Sequence, residues 1–218
     1  MIKLLGPALP NFVYVACSGG VDSLAVVDFL RRKHLVCVIY IDHDTSHSSF
    51  AFRAIKDYAD KHKLGMYHRH IRDKKPKSKS LEEYWRDERY KILDKFCDYN
   101  GLDGPPNRPI ITCHHLDDAV ETYVWSCMHG NGKVIPYYRG SSVIRPFLLN
   151  RKSEFINWAK KNDLHYFDDP SNSDTSFTRN HIRHNVISQI EKINPGIYKV
   201  VKKKIIEQYT WNSLAHKN

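Results

Sequence analysis

Ser18-Gly19-Gly20-Val21-Asp22-Ser23 stands between a β-branched, aromatic stretch (Asn11–Cys17, NFVYVAC) and a helical repeat of Leu24, Val27 and Leu30. The pattern is strand, glycine turn, helix. Two glycines let a backbone approach an anion closely, and the free N–H groups and positive dipole end of the following helix face that anion. The hydroxyls of Ser18 and Ser23 add donors, and the Asp22 carboxylate is placed to hold Mg²⁺ against phosphate oxygens. No lysine follows the glycines, so this is not a Walker A loop. The competing reading is an ordinary Ser/Gly turn, which the flanking strand and helix disfavour.

A second constellation is His114-His115-Leu116-Asp117-Asp118-Ala119-Val120-Glu121-Thr122. Helical spacing predicts Leu116, Val120, Tyr123 and Cys127 on a core face, with Asp117, Asp118 and Glu121 together on an exposed one. Acids in a first turn can simply complement the helix dipole. Histidine and carboxylates at helical spacing can also ligate Zn²⁺, although HExxH is absent and no third ligand is obvious.

Two groups of cations accompany these acids. Arg86 and Arg89 share one face of a helix that begins at the capping box Ser80–Glu83, and they read either as partners for a carboxylate or as surface ion bridges. Arg179, Asn180 and Arg183 share another face behind the turn Asp169-Pro170-Ser171-Asn172. Phosphate or RNA contact and polar helix docking are both open for them. The loop lysines Lys74, Lys75, Lys77 and Lys79, and the helical Lys199, Lys202 and Lys203, read as RNA-backbone contacts or as solvated surface. Tyr137, Tyr138 and Arg139 read as a base-stacking patch or as partly buried.

The elements that must position these groups alternate. Leu35–Ile41 is a continuous apolar run of the kind a parallel strand covered on both faces requires. A helix over Phe50–His62, a strand over Gly65–Ile71, a helix from Ser80 and a strand over Ile110–Cys113 follow. The His114–Met128 segment is helical, and beyond Arg145-Pro146-Phe147 the helices Lys152–Asn162, Arg179–Ile193 and Ile197–Tyr209 complete the chain. The expected fold is α/β, a doubly wound parallel sheet over residues 1–149, with a helical lobe over 150–218 packed on it as part of one catalytic unit.

Composition narrows the partners. The 218 residues are enough for a real core without a disulfide or metal staple, and 34 Lys+Arg against 24 Asp+Glu give a formal charge of +10. Such a surface favours polyanions through counterion release. The five cysteines form no CxxC pair, against a zinc ribbon or a secreted disulfide framework. The opening segment lacks the pattern of a signal peptide and no stretch has the length of a membrane span, so a soluble, cytoplasmic protein with no membrane partner is expected.

The SGGxDS loop resembles that of the PP-loop ATP pyrophosphatases, with the adenine nucleotide alpha hydrolase-like fold. HHxDDxxET resembles the second signature of the tRNA(Ile)-lysidine synthetase family. Further similarities follow in order: Arg86-Asp-Glu-Arg89-Tyr90 to RxxRY, Arg145-Pro-Phe-Leu148 to RPLL, and Asp168-Asp-Pro-Ser-Asn172 with Arg179-Asn-His-Ile-Arg183 to EDPSN…RNxIR. Ile41-Asp42-His43 is similar to a VDHGLR element, but Asp44 replaces its glycine and the arginine is missing. The similarity runs from about Val13 to Arg183.

That resemblance implies an ATP- and Mg²⁺-dependent ligase joining L-lysine to carbon 2 of the wobble cytidine of tRNA(Ile) with a CAU anticodon. It places Ser18, Gly19, Gly20, Val21, Asp22 and Ser23 on ATP and magnesium. Asp118, Glu121 and Arg86 go to the lysine or the catalytic centre, with Asp118 as candidate base and Asp117 or Glu121 as substitutes. Arg89, His114, Arg179, Asn180 and Arg183 complete the substrate-binding set. Lysine carries an ammonium and a carboxylate, so acids for one end and an arginine for the other suit it. The family often carries further C-terminal domains, so a short form is expected. The rivals are a thiolase-type PP-loop enzyme, against which the lack of CxxC counts, and a non-catalytic RNA-binding protein on the same fold.

Overall fold

Apolar runs separated by amphipathic helices wind into one sheet in the computed structural model, which describes residues 1–73, 75–100, 108–140 and 143–215, without the side chains of 97–100 and 213–215. The strands are β1 (Phe12–Ala16), β2 (Leu35–Asp42), β3 (Gly65–His70), β4 (Ile110–Thr112), β5 (Tyr138–Arg139) and β6 (Val143–Ile144), in the order β3-β2-β1-β4-β6-β5. Every neighbouring pair is parallel except β5–β6. The parallel α/β expectation therefore holds, with an antiparallel strand at one edge. The chain moves outward in one direction from β1 and in the other from β4. Ligands bind beyond the strand C-termini at such a switch point, and both sequence constellations begin there.

The helices are α1 (Val21–Leu30), α2 (Ser48–His62), α3 (Leu81–Asn100), α4 (Leu116–Met128), α5 (Lys152–Lys161), α6 (Thr178–His181), a π-helical turn Ile182–Val186, α7 (Ile187–Ile193) and α8 (Ile197–Ala215). On one sheet face Leu24, Val27 and Leu30 of α1 pack with Ile55 of α2 and Phe155 of α5. On the other, Tyr84, Tyr90, Leu93 and Phe96 of α3 cover Tyr14, Ile39 and Ile110. Two covered faces explain why Val36 to Ile41 are all buried. A third cluster joins Leu116, Val120 and Val124 of α4 to Ile182, Val201 and Ile205. At about 2 kcal/mol for each fully buried aliphatic side chain, that cluster is what docks α8 on α4.

The β5–β6 hairpin is not visible in the sequence, and it changes the standing of several residues. Tyr137 is buried with its ring 4.6 Å from Tyr138 and 4.9 Å from Tyr209, closed to a stacking base. Arg139 lies 3.6 Å over the Tyr90 ring. The motif residue Arg145 is 2% exposed and donates to the Pro136 carbonyl at 2.6 Å and the Tyr90 hydroxyl at 2.9 Å, so it locks β6 to α3. Of the loop lysines, Lys79 pairs with Asp87 and Lys75 donates to the Lys79 carbonyl, while Lys74 lies outside the described residues. Ser80 Oγ accepts from Glu83 N at 3.1 Å, starting α3 as expected. Among the described residues no helix is long and apolar enough to cross a membrane.

Candidate active site

The glycine loop leaves β1 at Ala16 and enters α1 at Val21. Gly19 has φ +84°, and a Cβ there would meet the Ala51 carbonyl oxygen at 2.9 Å and the Ala51 Cα at 3.2 Å. Both conformation and the approach of α2 therefore require glycine. Gly20 caps α1 with extended backbone and no side-chain partner, so the first-turn N–H groups stay available to an anion. Ser23 is buried and works within the loop: its Oγ accepts from Ser18 N at 3.2 Å and donates to the Gly20 carbonyl at 3.0 Å. Ser18 is exposed at the loop surface. Asp22 turns one carboxylate oxygen toward Lys152 Nζ at 3.7 Å, whereas its Oδ1 is buried with no protein partner. An orphaned carboxylate oxygen beside a phosphate loop fits a Mg²⁺ ligand.

Helix α4 starts where β4 ends, and His115 is its N-cap. Its Nδ1 accepts from Asp118 N at 3.2 Å, and Asp118 Oδ2 accepts from His115 N at 2.9 Å, a reciprocal capping box. The opposite ring nitrogen, Nε2, points to Asp22 Oδ2 at 3.5 Å. Burial opposes charge on this ring, but the carboxylates of Asp118, Asp22 and Asp117 outweigh it and raise its pKa.

The acids of α4 diverge in role. Asp117 holds α5, accepting from Lys152 N at 2.7 Å and Arg151 Nε at 3.2 Å, with its Oδ2 still 3.7 Å from His115 Nδ1. Asp118 accepts from Arg179 Nη2 at 2.8 Å. Burial would raise its pKa, but the charges of His115 and Arg179 hold its carboxyl well below the usual range. Glu121 is 2% exposed, not on the open face that its helical position suggests. It accepts from Arg179 Nε at 2.7 Å and from Arg183 Nε at 2.6 Å. Asn180 instead donates to the Ser171 and Asp174 carbonyls, tying the 170–174 turn to α6. Phe167, just before that turn, donates its N–H to the Gly19 carbonyl at 2.9 Å, so this segment lies against the glycine loop.

Helix α3 supplies the remaining cations. Arg86 is exposed and Arg89 half-buried, and neither has a hydrogen-bonding or ion-pair partner among the described residues. Desolvation, and then the charges of Arg179 and Arg86, lower the pKa of Arg89 despite the neighbouring Tyr90. The same crowding acts on two histidines. His43, 5.4 Å from the Trp85 ring, is lowered to about 4 by burial and by Arg89. His114, 3.1 Å from Thr112 Oγ1, is pushed well below its ordinary value by burial and by the Arg145, Arg179 and Arg89 charges, against the pull of Asp118. A guanidinium short of carboxylates beside neutral histidines offers its donors to an anion.

Asp22, Asp118, Glu121, Arg179 and Arg183 thus gather around His115 beside the glycine loop, with Asp117 also 3.7 Å from His115 Nδ1 while it holds α5. Asn180 instead braces the 170–174 turn. His115, Lys152 and Phe167 were not among the expected site residues. For His115 the available signal was its place directly before the helix, three residues from Asp118. Lys152 and Phe167 reach the loop only through tertiary packing.

A sequence profile of the PP-loop domain matches residues 1–190. The tRNA(Ile)-lysidine synthase of Persephonella marina is 34% identical over 197 residues, 85% of this chain and 42% of the relative. That of Francisella tularensis subsp. novicida is 29% identical, over 86% of this chain and 48% of the relative. The chain spans about half the length of the curated relatives it matches. Among solved structures, the U34-tRNA thiolase NcsA of Methanococcus maripaludis with its [4Fe-4S] cluster superposes with TM-score 0.75 at 16% identity, covering 94% of this chain and 74% of that one. An NH3-dependent NAD synthetase from Campylobacter jejuni gives TM-score 0.54 at 16% identity, over 92% of this chain and 86% of that one. At those identities the likeness is one of fold. With the profile spanning 190 of 218 residues and a glycine loop of matching form at the switch point, the chain belongs to the PP-loop domain family of ATP-using proteins.

Proposed function

We propose that this chain ligates L-lysine to carbon 2 of the wobble cytidine of tRNA(Ile) with a CAU anticodon, at the expense of ATP. The supporting observation is the buried His115 bridge between Asp22, on the phosphate loop, and Asp118, on the acid–arginine cluster. That link sets the glycine loop beside the acid–arginine cluster, which supports reading the first as a nucleotide phosphate site and the second as a site for a doubly charged substrate.

In this reading the N–H groups of the first turn of α1 hold the leaving pyrophosphate. Cytidine O2 attacks the α-phosphate and displaces pyrophosphate; the lysine ε-amine, after its ammonium proton passes to solvent, then attacks carbon 2 and expels AMP. At Asp22 the chain would hold Mg²⁺, which when bound neutralises phosphate charge. Arg89, with Arg86 beside it, receives the lysine carboxylate, and Asp118 draws in the ammonium end. A carboxylate held so far below the ordinary range is a weak proton acceptor, so Asp118 orients the amine more than it deprotonates it. Glu121 fixes Arg179 and Arg183 beside Asp118.

The test is AMP release from ATP in the presence of lysine and tRNA(Ile) bearing CAU. Asp22→Ala should abolish it with the fold unchanged by circular dichroism. Near-normal turnover in that variant removes the basis for this reading.

A further inference from the structure

Asp42 ends β2 and stands opposite His70 in the parallel register, with His68 two residues earlier on the same face of β3. Asp42 Oδ2 lies 3.6 Å from His68 Nε2 and 3.5 Å from His70 Nδ1, and one ligand atom from each residue falls within 4.8 Å of the others. These separations are long for hydrogen bonds, which cluster at about 2.7–3.2 Å. They do match the roughly 3.3–3.6 Å edges of a tetrahedron built on metal–ligand bonds of about 2.0–2.2 Å. His68 Nε2 is also buried with no hydrogen-bond partner, so its lone pair is open to a cation.

The three groups are held from behind. Asp42 Oδ1 accepts from Asp44 N at 2.8 Å, which turns Oδ2 toward the histidines. The His68 ring stacks on Phe52 at 4.7 Å and lies 5.1 Å from the Tyr40 ring. Supports of this kind fix ligand orientation in metal sites. The His70 side chain is 46% exposed, leaving an open side for a water as fourth ligand. Two imidazoles and one carboxylate suit a borderline cation of the zinc class, whereas Mg²⁺ and Ca²⁺ prefer all-oxygen surroundings.

We propose that Asp42, His68 and His70 form a zinc-class cation site at the β2–β3 edge, distinct from the Asp22 position at the β1–β4 switch point. A cation there pins β3 to the turn that leads into α2, the helix whose Ala51 backs Gly19. The site would therefore stiffen the glycine loop from outside.

The experiment titrates the chelator-stripped full chain with ZnCl₂ against a chromophoric chelator, and in parallel with CoCl₂ followed by visible absorption. One Zn²⁺ per chain is expected, with intense four-coordinate Co²⁺ bands that Zn²⁺ displaces. His68→Gln and His70→Gln should each weaken Zn²⁺ binding by roughly 100-fold, while His181→Gln, a histidine outside the cluster, should bind like the parent chain. Failure of the parent chain to take up Zn²⁺ at micromolar concentration overturns the proposal. So does unchanged affinity in His70→Gln, whose half-exposed side chain makes it the decisive variant should His68→Gln fail to fold.

Discussion

His115 Nε2 lies 3.5 Å from Asp22 Oδ2, while Nδ1 of the same ring caps the helix that carries Asp118. One buried side chain thus sets the spacing between the phosphate loop and the acidic turn. His115→Ala removes an N-cap and leaves a cavity, a cost of about 2–3 kcal/mol. AMP release should fall by about 100-fold or more, the scale of a misplaced catalytic group, even at temperatures where the variant is folded. Urea denaturation alongside an AMP assay checks both, and full turnover in the folded variant would contradict the bridge.

The two glycines of the loop should behave differently. Gly19→Ala combines a left-handed φ with a Cβ pressed against backbone of α2, and should cost about 1–2 kcal/mol or more with loss of ATP turnover. At Gly20 a Cβ would find nothing nearer than Ser18 Oγ at 3.8 Å. Gly20→Ala should keep the parent melting temperature and only weaken ATP affinity, by occupying the space beside the phosphates. Equal melting temperatures for both variants would refute the distinction.

The glycine loop, the parallel strands and the start of α4 are legible in sequence because each is local: a strand run, a turn that demands Gly19, a helix with its cap. The acids and arginines of the site are also visible as residues. Their pairing is not, because Glu121 meets Arg179 and Arg183 only after α6 and its π-helical continuation dock on α4 across 58 and 62 residues. Tyr137 and Arg145 illustrate the same gap. Strands of two residues, β5 and β6, carry too short a pattern to announce a hairpin, so the burial it imposes on both side chains could not be read.

Glu121 and Asp117 separate stability from chemistry on one helix. Glu121→Gln leaves two partly exposed guanidinium groups facing a neutral amide, which should destabilise by about 1–2 kcal/mol. Asp117→Ala loses the contact with Lys152 N at the start of α5, worth about 1 kcal/mol, and should retain AMP release. Calorimetry and the AMP assay together decide. Abolished turnover in a stable Asp117→Ala variant would return that residue to the chemistry.

Away from the site, Asp28 is 1% exposed and accepts from Arg31, Arg32, Tyr58 and Trp158. Burial acts to raise its pKa, but Tyr58, Arg32, Trp158 and Arg31 together lower it. A depressed folded value means the stabilisation is present above the unfolded value of about 3.9 and is lost as pH falls through the folded one. Asp28→Asn should cost about 2–3 kcal/mol at pH 7, and the gap to the parent chain should narrow below about pH 4. A gap that is constant from pH 7 to 2 would show that the carboxylate charge is not what the pocket uses.

The most direct measurement incubates the chain with ATP, Mg²⁺, labelled lysine and tRNA(Ile) bearing CAU, beside the same tRNA with the wobble C changed to U. Reading the base at its Watson–Crick edge is the source of selectivity that general charge attraction does not provide. Lysine incorporation with equimolar AMP is expected from the first RNA and neither product from the second. Lysine incorporation that ignores the wobble base, or AMP release from the CAU tRNA without lysine incorporation, would contradict the ligase reading.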